Sequence, residues 1–283
     1  MKEEEIKKHV RDRYAAAAMQ GSSCGQTVDC CGRGRGPESL SKKVGYTDED
    51  LKAVPEGANL GLGCGNPLAL ASLREGETVL DLGSGGGFDC FLAARQVGRA
   101  GKVIGVDMTP EMLERSRGNA RKGDYGNVEF RLGEIENLPV ADNQVDIVIS
   151  NCVINLSPSK DRVFQEAFRA LKPGGRLMVS DIVLRKDLPE EIRNSISAYT
   201  ACVAGATRKE KYLDAIRAAG FQEVQVLQET VFPVEMATSD PAVMEIVKTL
   251  GSQEKIRELA GSVASVKVFA RKPVPAGQRP MNE

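Results

Sequence analysis

A glycine-rich turn, Asp81-Leu82-Gly83-Ser84-Gly85-Gly86-Gly87, joins a short apolar run, Thr78 to Leu82, to a helical segment, Phe88 to Val97, and it restricts the possible folds more than any other feature. Four glycines in five positions let the backbone turn sharply and approach a ligand closely. In an open α/β sheet, a first strand-to-helix turn of this kind is where a nucleotide-like ligand sits. The alternation continues along the chain. Val103 to Val106, Val128 to Leu132, Val145 to Ser150 and Arg176 to Ser180 read as strands. Pro110 to Lys122 reads as a helix, with Thr109 as N-cap and Pro110 in its first position. A further helix, about Lys160 to Leu171, stops before the turn signal Lys172-Pro173-Gly174-Gly175. With later strands at Glu223 to Leu227 and Ser265 to Ala270, the pattern predicts an α/β chain with a doubly wound, mostly parallel seven-stranded sheet.

Acidic residues refine the expected ligand. Asp81 lies inside the turn motif, Asp107 ends the second strand roughly 20 residues on, and Gly133-Glu134-Ile135 follows the third. A sulfonium cation with an amino acid tail suits an acidic, phosphate-free cleft, whereas a dinucleotide favours a helix N-terminus without a competing carboxylate. Glu77 to Asp181 resembles the Rossmann-like class I methyltransferases that use S-adenosylmethionine (SAM). The resemblance implies Asp81 and Gly83 at the methionine moiety, Asp107 at the ribose, and Glu134 with Ile135 at the adenine. Ser84, Gly85, Met108, Thr109 and Asn151 complete the implied cofactor set. The plainer readings are a helix cap for Asp107 and a solvated loop charge for Glu134.

Cysteines carry the second half of the reading. The chain has seven, with one histidine, His9, so a mechanism needing a central histidine base is excluded. Nothing at the charged N-terminus suggests a secretory signal, and thiols in a reducing compartment suit ligation or redox chemistry better than a disulfide framework. Cys152 follows the fourth strand and is expected above the carboxyl ends of the sheet. A thiol set without histidine suits neither an ordinary catalytic zinc site nor a hard cation. Trivalent arsenic takes three sulfurs in a pyramid and keeps a lone pair able to attack a sulfonium methyl without a base. The segments Gly61-Leu62-Gly63-Cys64-Gly65-Asn66-Pro67, Asp81 to Cys90, Gly105 to Thr109, Asn151-Cys152-Val153-Ile154-Asn155-Leu156-Ser157, Leu171 to Gly175 and Cys202-Val203-Ala204-Gly205-Ala206 resemble the arsenite methyltransferase family. That family implies arsenic held by Cys152 and Cys202, with Cys64 as third ligand or as disulfide partner of an N-terminal cysteine. Cys30 and Cys31 are the candidates for that partner; Cys24 shares their loop, and spacing does not separate the three. Arsenite or its thiol adducts would be the substrate, and thioredoxin or glutathione the reductant. Cys90, between helical apolar residues, reads as a buried hydrophobe, and Tyr46 as a core aromatic or a ring resting against the sulfonium.

The remaining expectations concern organisation and partners. Residues 1–70 are expected to hold an N-terminal amphipathic helix, Glu3 to Met19, and a cysteine-bearing loop, Gly21 to Lys43. Residues 71–182 form the SAM-binding core, 183–272 an arsenic-binding segment with sheet completion, and 273–283 a polar tail. In the third part, helices are predicted at Pro189 to Tyr199, Lys209 to Ala219 and Pro241 to Ala260, the last a C-terminal helical insertion. A net charge of -1 with intermixed signs offers no footprint for nucleic acid or anionic lipid, and no apolar run spans a bilayer. A cytoplasmic monomer is expected. Two competing functions remain on sequence alone: methyl transfer to carbon, as on quinones or sterols, which would leave the cysteines idle, and a metalloid-sensing module that binds arsenic without turnover.

Overall fold

The computed structural model describes residues 2–20, 37–67, 72–231 and 252–275. Seven strands form one sheet in the order β3-β2-β1-β4-β5-β7-β6. They are β1 (Thr78–Leu82), β2 (Lys102–Asp107), β3 (Val128–Leu132), β4 (Val145–Asn151), β5 (Leu171–Leu184), β6 (Gln222–Val231) and β7 (Val263–Arg271). The first five pair in parallel, and β7 runs antiparallel between β5 and β6. The mostly parallel seven-stranded sheet expected from the alternating pattern is therefore present.

Alternation of side chains along each strand divides the core into two layers. Leu80, Leu82, Ile104, Val106 and Val148 pack on one side with Phe164 and Tyr212. Val79, Val103, Ile147 and Ile149 pack on the other with Phe91 and Phe130. Four of the five β1 residues are buried, as a strand covered on both faces requires. Helices α4 (Phe88–Val97), α5 (Pro110–Lys122), α6 (Lys160–Ala170) and α9 (Lys209–Ala218) belong to these layers, whereas α1 (Glu3–Gln20), α2 (Pro37–Lys43) and α3 (Asp48–Lys52) precede the sheet.

Strand order reverses at β1: the chain steps outward to β2 and β3, then returns to β4 on the opposite side. A crevice opens at such a switch point, beyond the carboxyl ends of the strands. Leu82 is level with Val106 on one side and Ser150 on the other, so the glycine turn, Asp107 and Asn151-Cys152 emerge side by side.

Several local expectations are corrected. The strand expected over Arg176 to Ser180 starts earlier, at Leu171, and Lys172–Gly175 is a bulge inside β5, where the register jumps from Val145↔Leu171 to Ile147↔Arg176. Backbone bonds to the chain after β7, Gly174 N–H to Lys272 O and Lys272 N–H to Gly175 O, both 2.9 Å, hold the turn against the sheet. The helix predicted over Pro189 to Tyr199 is two, α7 (Glu190–Arg193) and α8 (Ile196–Thr200), because the Ser195 side chain accepts from Ala198 N and starts a new helix. Pro37 to Lys43, expected as loop, is α2: proline opens it, Glu38 lies in the first turn and Lys42 and Lys43 in the last. The helix expected over Pro241 to Ala260 is described only from residue 252, as α10 (Gln253–Ser262) capped by Ser252. No described helix is long and apolar enough to cross a membrane.

Candidate active site

The crevice at the switch point is an open cleft of about 1110 Å³, the solvent space at its mouth included. Its floor is the glycine turn. Gly83 sits at φ +70°, and a Cβ there would meet the Val153 side chain at 2.4 Å, so only glycine lets the backbone pass. Its roof is α1, whose apolar face was legible as Ile6, Val10 and Tyr14; Lys7, Val10 and Tyr14 line the cleft.

Asp81, Gly83, Ser84, Gly85, Asp107, Met108, Thr109, Ile135, Asn151 and Cys152 all border this cleft. Glu134 does not. It pairs with Lys7 at 2.7 Å, and Glu136, at 3.4 Å from the same ammonium, is the acidic residue on the wall. Thr109 makes no side-chain cap; its N–H instead donates to Asp107 Oδ1 at 2.8 Å, while Gly85 N–H donates to Asp107 Oδ2 at 2.9 Å. These amides, with the Thr109 hydroxyl and the Met108 N–H also set against it, fix the orientation of the Asp107 carboxylate.

Three carboxylates are gathered here, none of them in an ion pair among the described residues. Burial pushes Asp81 well above the usual carboxylate range, with the charge of Asp89 adding to the shift. The Cys90 thiol donates a hydrogen bond to Asp81, 3.2 Å away. Asp89 is pushed up to about 6 by burial, although Tyr46 and Asn151 donate to it. Asp107 is raised by burial as well. The Ser84 hydroxyl is buried on the wall with no hydrogen-bond partner. Buried carboxylates and an orphaned hydroxyl suit a polar, cationic ligand, which fits the expected sulfonium cofactor.

Asn151 has a role that residue type alone does not disclose. Its Oδ1 accepts from Cys64 N–H at 3.1 Å and Gly65 N–H at 3.3 Å. Its Nδ2 faces Tyr46 Oη at 2.9 Å, Gly65 O at 2.7 Å and Asp89 Oδ2 at 3.1 Å. Tyr46 in turn donates to Asp89 Oδ1 at 2.6 Å and packs edge-on against Phe88, so it is both core aromatic and cleft wall. The side chain expected to bind cofactor therefore also clamps the Cys64 loop.

Behind the cleft the thiols converge. Cys64, Cys152 and Cys202 are all buried in one cluster. Hydrogen bonds to the Cys202 and Cys64 thiols, then burial, hold the Cys152 thiol well above its usual range, and burial raises Cys64. Cys202 Sγ also lies 2.9 Å from Cys152 O. Cys152 and Cys202 adopt φ +63° and +62°, a left-handed backbone that costs a non-glycine residue about 1 to 3 kcal/mol. Gly65 and Gly205 permit the convergence, since a Cβ would lie 1.7 Å from Ser180 Oγ in one case and 2.1 Å from Asn155 O in the other. Of these three thiols, only Cys152 also lines the cleft. Cys90 is fully buried in the apolar layer, as expected, although it also bonds Asp81. Cys24, Cys30 and Cys31 lie outside the described residues.

Two groups here are absent from the sequence-based set. Asp89, two residues past the last glycine and in the first turn of α4, was visible only as part of a matching motif. Asp181 lies inside the buried run Leu177–Leu184 of β5, where an acid within an apolar run was the available signal. It accepts from Asn155 Nδ2 at 2.8 Å, Ile182 N–H at 2.9 Å and Tyr212 Oη at 3.1 Å, and burial pushes it up to about 7.

Comparison with known proteins gives a consistent result. Residues 73–220 match the methyltransferase domain family. An arsenite methyltransferase of Halobacterium salinarum is 45% identical over 95% of the chain and 67% of its own length. One from Aquipseudomonas alcaligenes is 38% identical over 76% of the chain and 62% of its own. Thus the chain spans about two thirds of the length of these relatives. The crystal structure of an arsenic(III) S-adenosylmethionine methyltransferase from Chlamydomonas reinhardtii superposes with a TM-score of 0.61 at 33% identity, covering 84% of this chain and 74% of that one.

Proposed function

Because the chain belongs to the arsenite methyltransferase family, we propose that it transfers methyl groups from SAM to trivalent arsenic held by Cys64, Cys152 and Cys202. One observation carries the reading: the thiol that joins the other two is the same thiol that borders the cofactor cleft.

The protonation state of the thiols suits the substrate. Arsenous acid is neutral, and each thiol that binds it replaces one hydroxyl, which leaves with the thiol proton as water. Three neutral thiols therefore load arsenic with no net proton released. Cys152, raised by its hydrogen bonds with Cys202 and Cys64 and by burial, and Cys64, raised by burial, favour the form this exchange consumes. The bound arsenic keeps its lone pair.

SAM supplies an electrophilic methyl on a sulfonium centre. Asp107, fixed by the Gly85 and Thr109 amides, would hold the ribose, and Asp81 and Asp89 would offset the positive charge. Ser84 offers a free hydroxyl to the same ligand. Holding donor and acceptor as neighbours removes the entropy of a two-body encounter, which in well-oriented cases accounts for about 7 to 11 kcal/mol of barrier. Methylation raises arsenic to the pentavalent state, so two thiols must return two electrons, closing to a disulfide, before a second transfer; the dithiol of thioredoxin or two molecules of glutathione fit that role, with Cys30 or Cys31 as the entry point.

Incubating the protein with arsenite, SAM and a thiol should yield methylarsenicals, and Cys152→Ser should lower the rate by at least about 100-fold, the scale expected when a reacting group loses its position. Folded, SAM-binding protein that makes no methylarsenical would refute the reading. Unchanged turnover in Cys152→Ser and Cys202→Ser would redirect it to a carbon acceptor.

A further inference from the structure

We propose that Cys64, Cys152 and Asp181 form a binding site for a closed-shell divalent cation, zinc or cadmium ion, which competes with arsenic for the two thiols. The cation site stands on the geometry below; the competition rests on the arsenic reading.

The ligand atoms of these three residues lie within 4.8 Å of one another, and all three side chains are buried. Donors around a tetrahedral zinc ion, with bonds of about 2.0 to 2.3 Å, stand roughly 3.3 to 3.8 Å apart. Contraction by about an ångström would therefore seat the ion. The Cys202 thiol, bonded to that of Cys152, is the nearest candidate for a fourth donor.

Asp181 is prepared as a ligand rather than as a passive core acid. Asn155 Nδ2 and Ile182 N–H converge on one oxygen and Tyr212 Oη on the other. Three donors occupy three of about four lone-pair sites, and an ionised carboxylate so held keeps one pair on Oδ2. Orienting bonds of this kind typically accompany metal-ligating carboxylates. No described basic side chain reaches Asp181 as an ion pair; Lys160, whose charge attracts it, donates to Ser157 O at 3.0 Å instead.

Chemistry separates the two occupants. Trivalent arsenic takes sulfur in a three-coordinate pyramid and has no use for a carboxylate. Zinc and cadmium ions accept mixed sulfur and oxygen shells and take four ligands. Asp181 is surplus to the first and completes the second. On loading, the cation displaces one proton from each thiol, and a third from Asp181 where that carboxyl is still protonated; the protons go to solvent and no electron moves. The product carries one negative charge near Lys160.

The test uses full-length, reduced, chelator-treated protein in which Cys24, Cys30 and Cys31 are serine, titrated with cadmium ion and read by sulfur-to-cadmium charge-transfer absorption. Asp181→Asn should weaken cadmium binding by at least about 10-fold, and leave arsenite binding within about threefold, because a carboxylate contributes nothing to a soft trivalent centre. X-ray absorption of the cadmium complex with Asp181 present should show a mixed sulfur and oxygen shell, a readout independent of whether the variant folds. Absence of cadmium binding, an all-sulfur shell, or equal loss of both ions in folded Asp181→Asn would each overturn the proposal. Cadmium binding without arsenite binding would leave this site standing and sink the arsenic reading instead.

Discussion

A single carboxamide illustrates how much depends on one side chain. Asn151 joins the Tyr46 and Asp89 pair to the Cys64 backbone. Truncation to alanine leaves the Cys64 and Gly65 amides without their acceptor, at a cost of about 1 to 3 kcal/mol. Asn151→Ala should therefore weaken arsenite binding by roughly 5- to 100-fold, measurable by tryptophan-free methods such as calorimetry; unchanged affinity would show that the Cys64 loop holds its position alone. Asp89 makes a separate, pH-dependent prediction. Its folded value, about 6, lies above the ordinary carboxylate value, so between about pH 4 and 6 the unfolded chain has lost a proton the folded one keeps. Stability of the ligand-free protein should fall as pH rises through that window. A cationic ligand favours the ionised form, so SAM affinity should rise over the same window, and Asp89→Asn should flatten both curves. Neither the motif spacing nor the residue types disclose Asn151's second role, because all of its partners lie at least 62 positions away.

At the scale of elements, α1 is the piece whose job is least local. It lies over the cleft, ties Lys7 to Glu134 and Glu136, and reaches Thr200 in α8 through Arg13. Arg115 of α5 donates to Ala18 O at the other end. One helix thus touches the loop after β3, the helix before Cys202 and the helix after Asp107. Lys7→Glu would set three acidic groups together, and their repulsion should lift α1 from the loop after β3 and weaken SAM binding by about 10-fold; titration of SAM into the variant checks it. The amphipathic pattern of α1 was readable from Ile6, Val10 and Tyr14. What that face covers was not, since a stripe of apolar residues carries no address.

For the whole molecule, the reversal of strand order at β1 sets cofactor loops and cysteine loops on one rim. The Asp89–Asn151–Cys64 hydrogen bonds run from the cleft to the cysteine loop. Adding SAM alone should slow hydrogen exchange at the Cys64 and Gly65 amides, and the effect should vanish in Asn151→Ala. Cys152→Ser and Cys202→Ser should leave SAM affinity within about threefold, since neither thiol supplies a carboxylate or a cofactor-orienting amide. Loss of SAM binding in either variant would show the sites to be one.

By itself the sequence determined the parallel sheet, the glycine turn, Asp107 at the end of β2 and Cys152 at the end of β4. These follow from short-range periodicity and from the rule that ligands gather at strand ends, both of which are written within a few residues. The tertiary structure alone decided that Glu134 turns to Lys7 while Glu136 faces the cleft, that Asn151 grips the Cys64 loop, and that Asp181 stands beside the thiols. Each of those depends on a partner more than a hundred residues away or on the exact height of one strand end against its neighbour. Contacts of that kind are fixed by packing and register, and no local pattern encodes them.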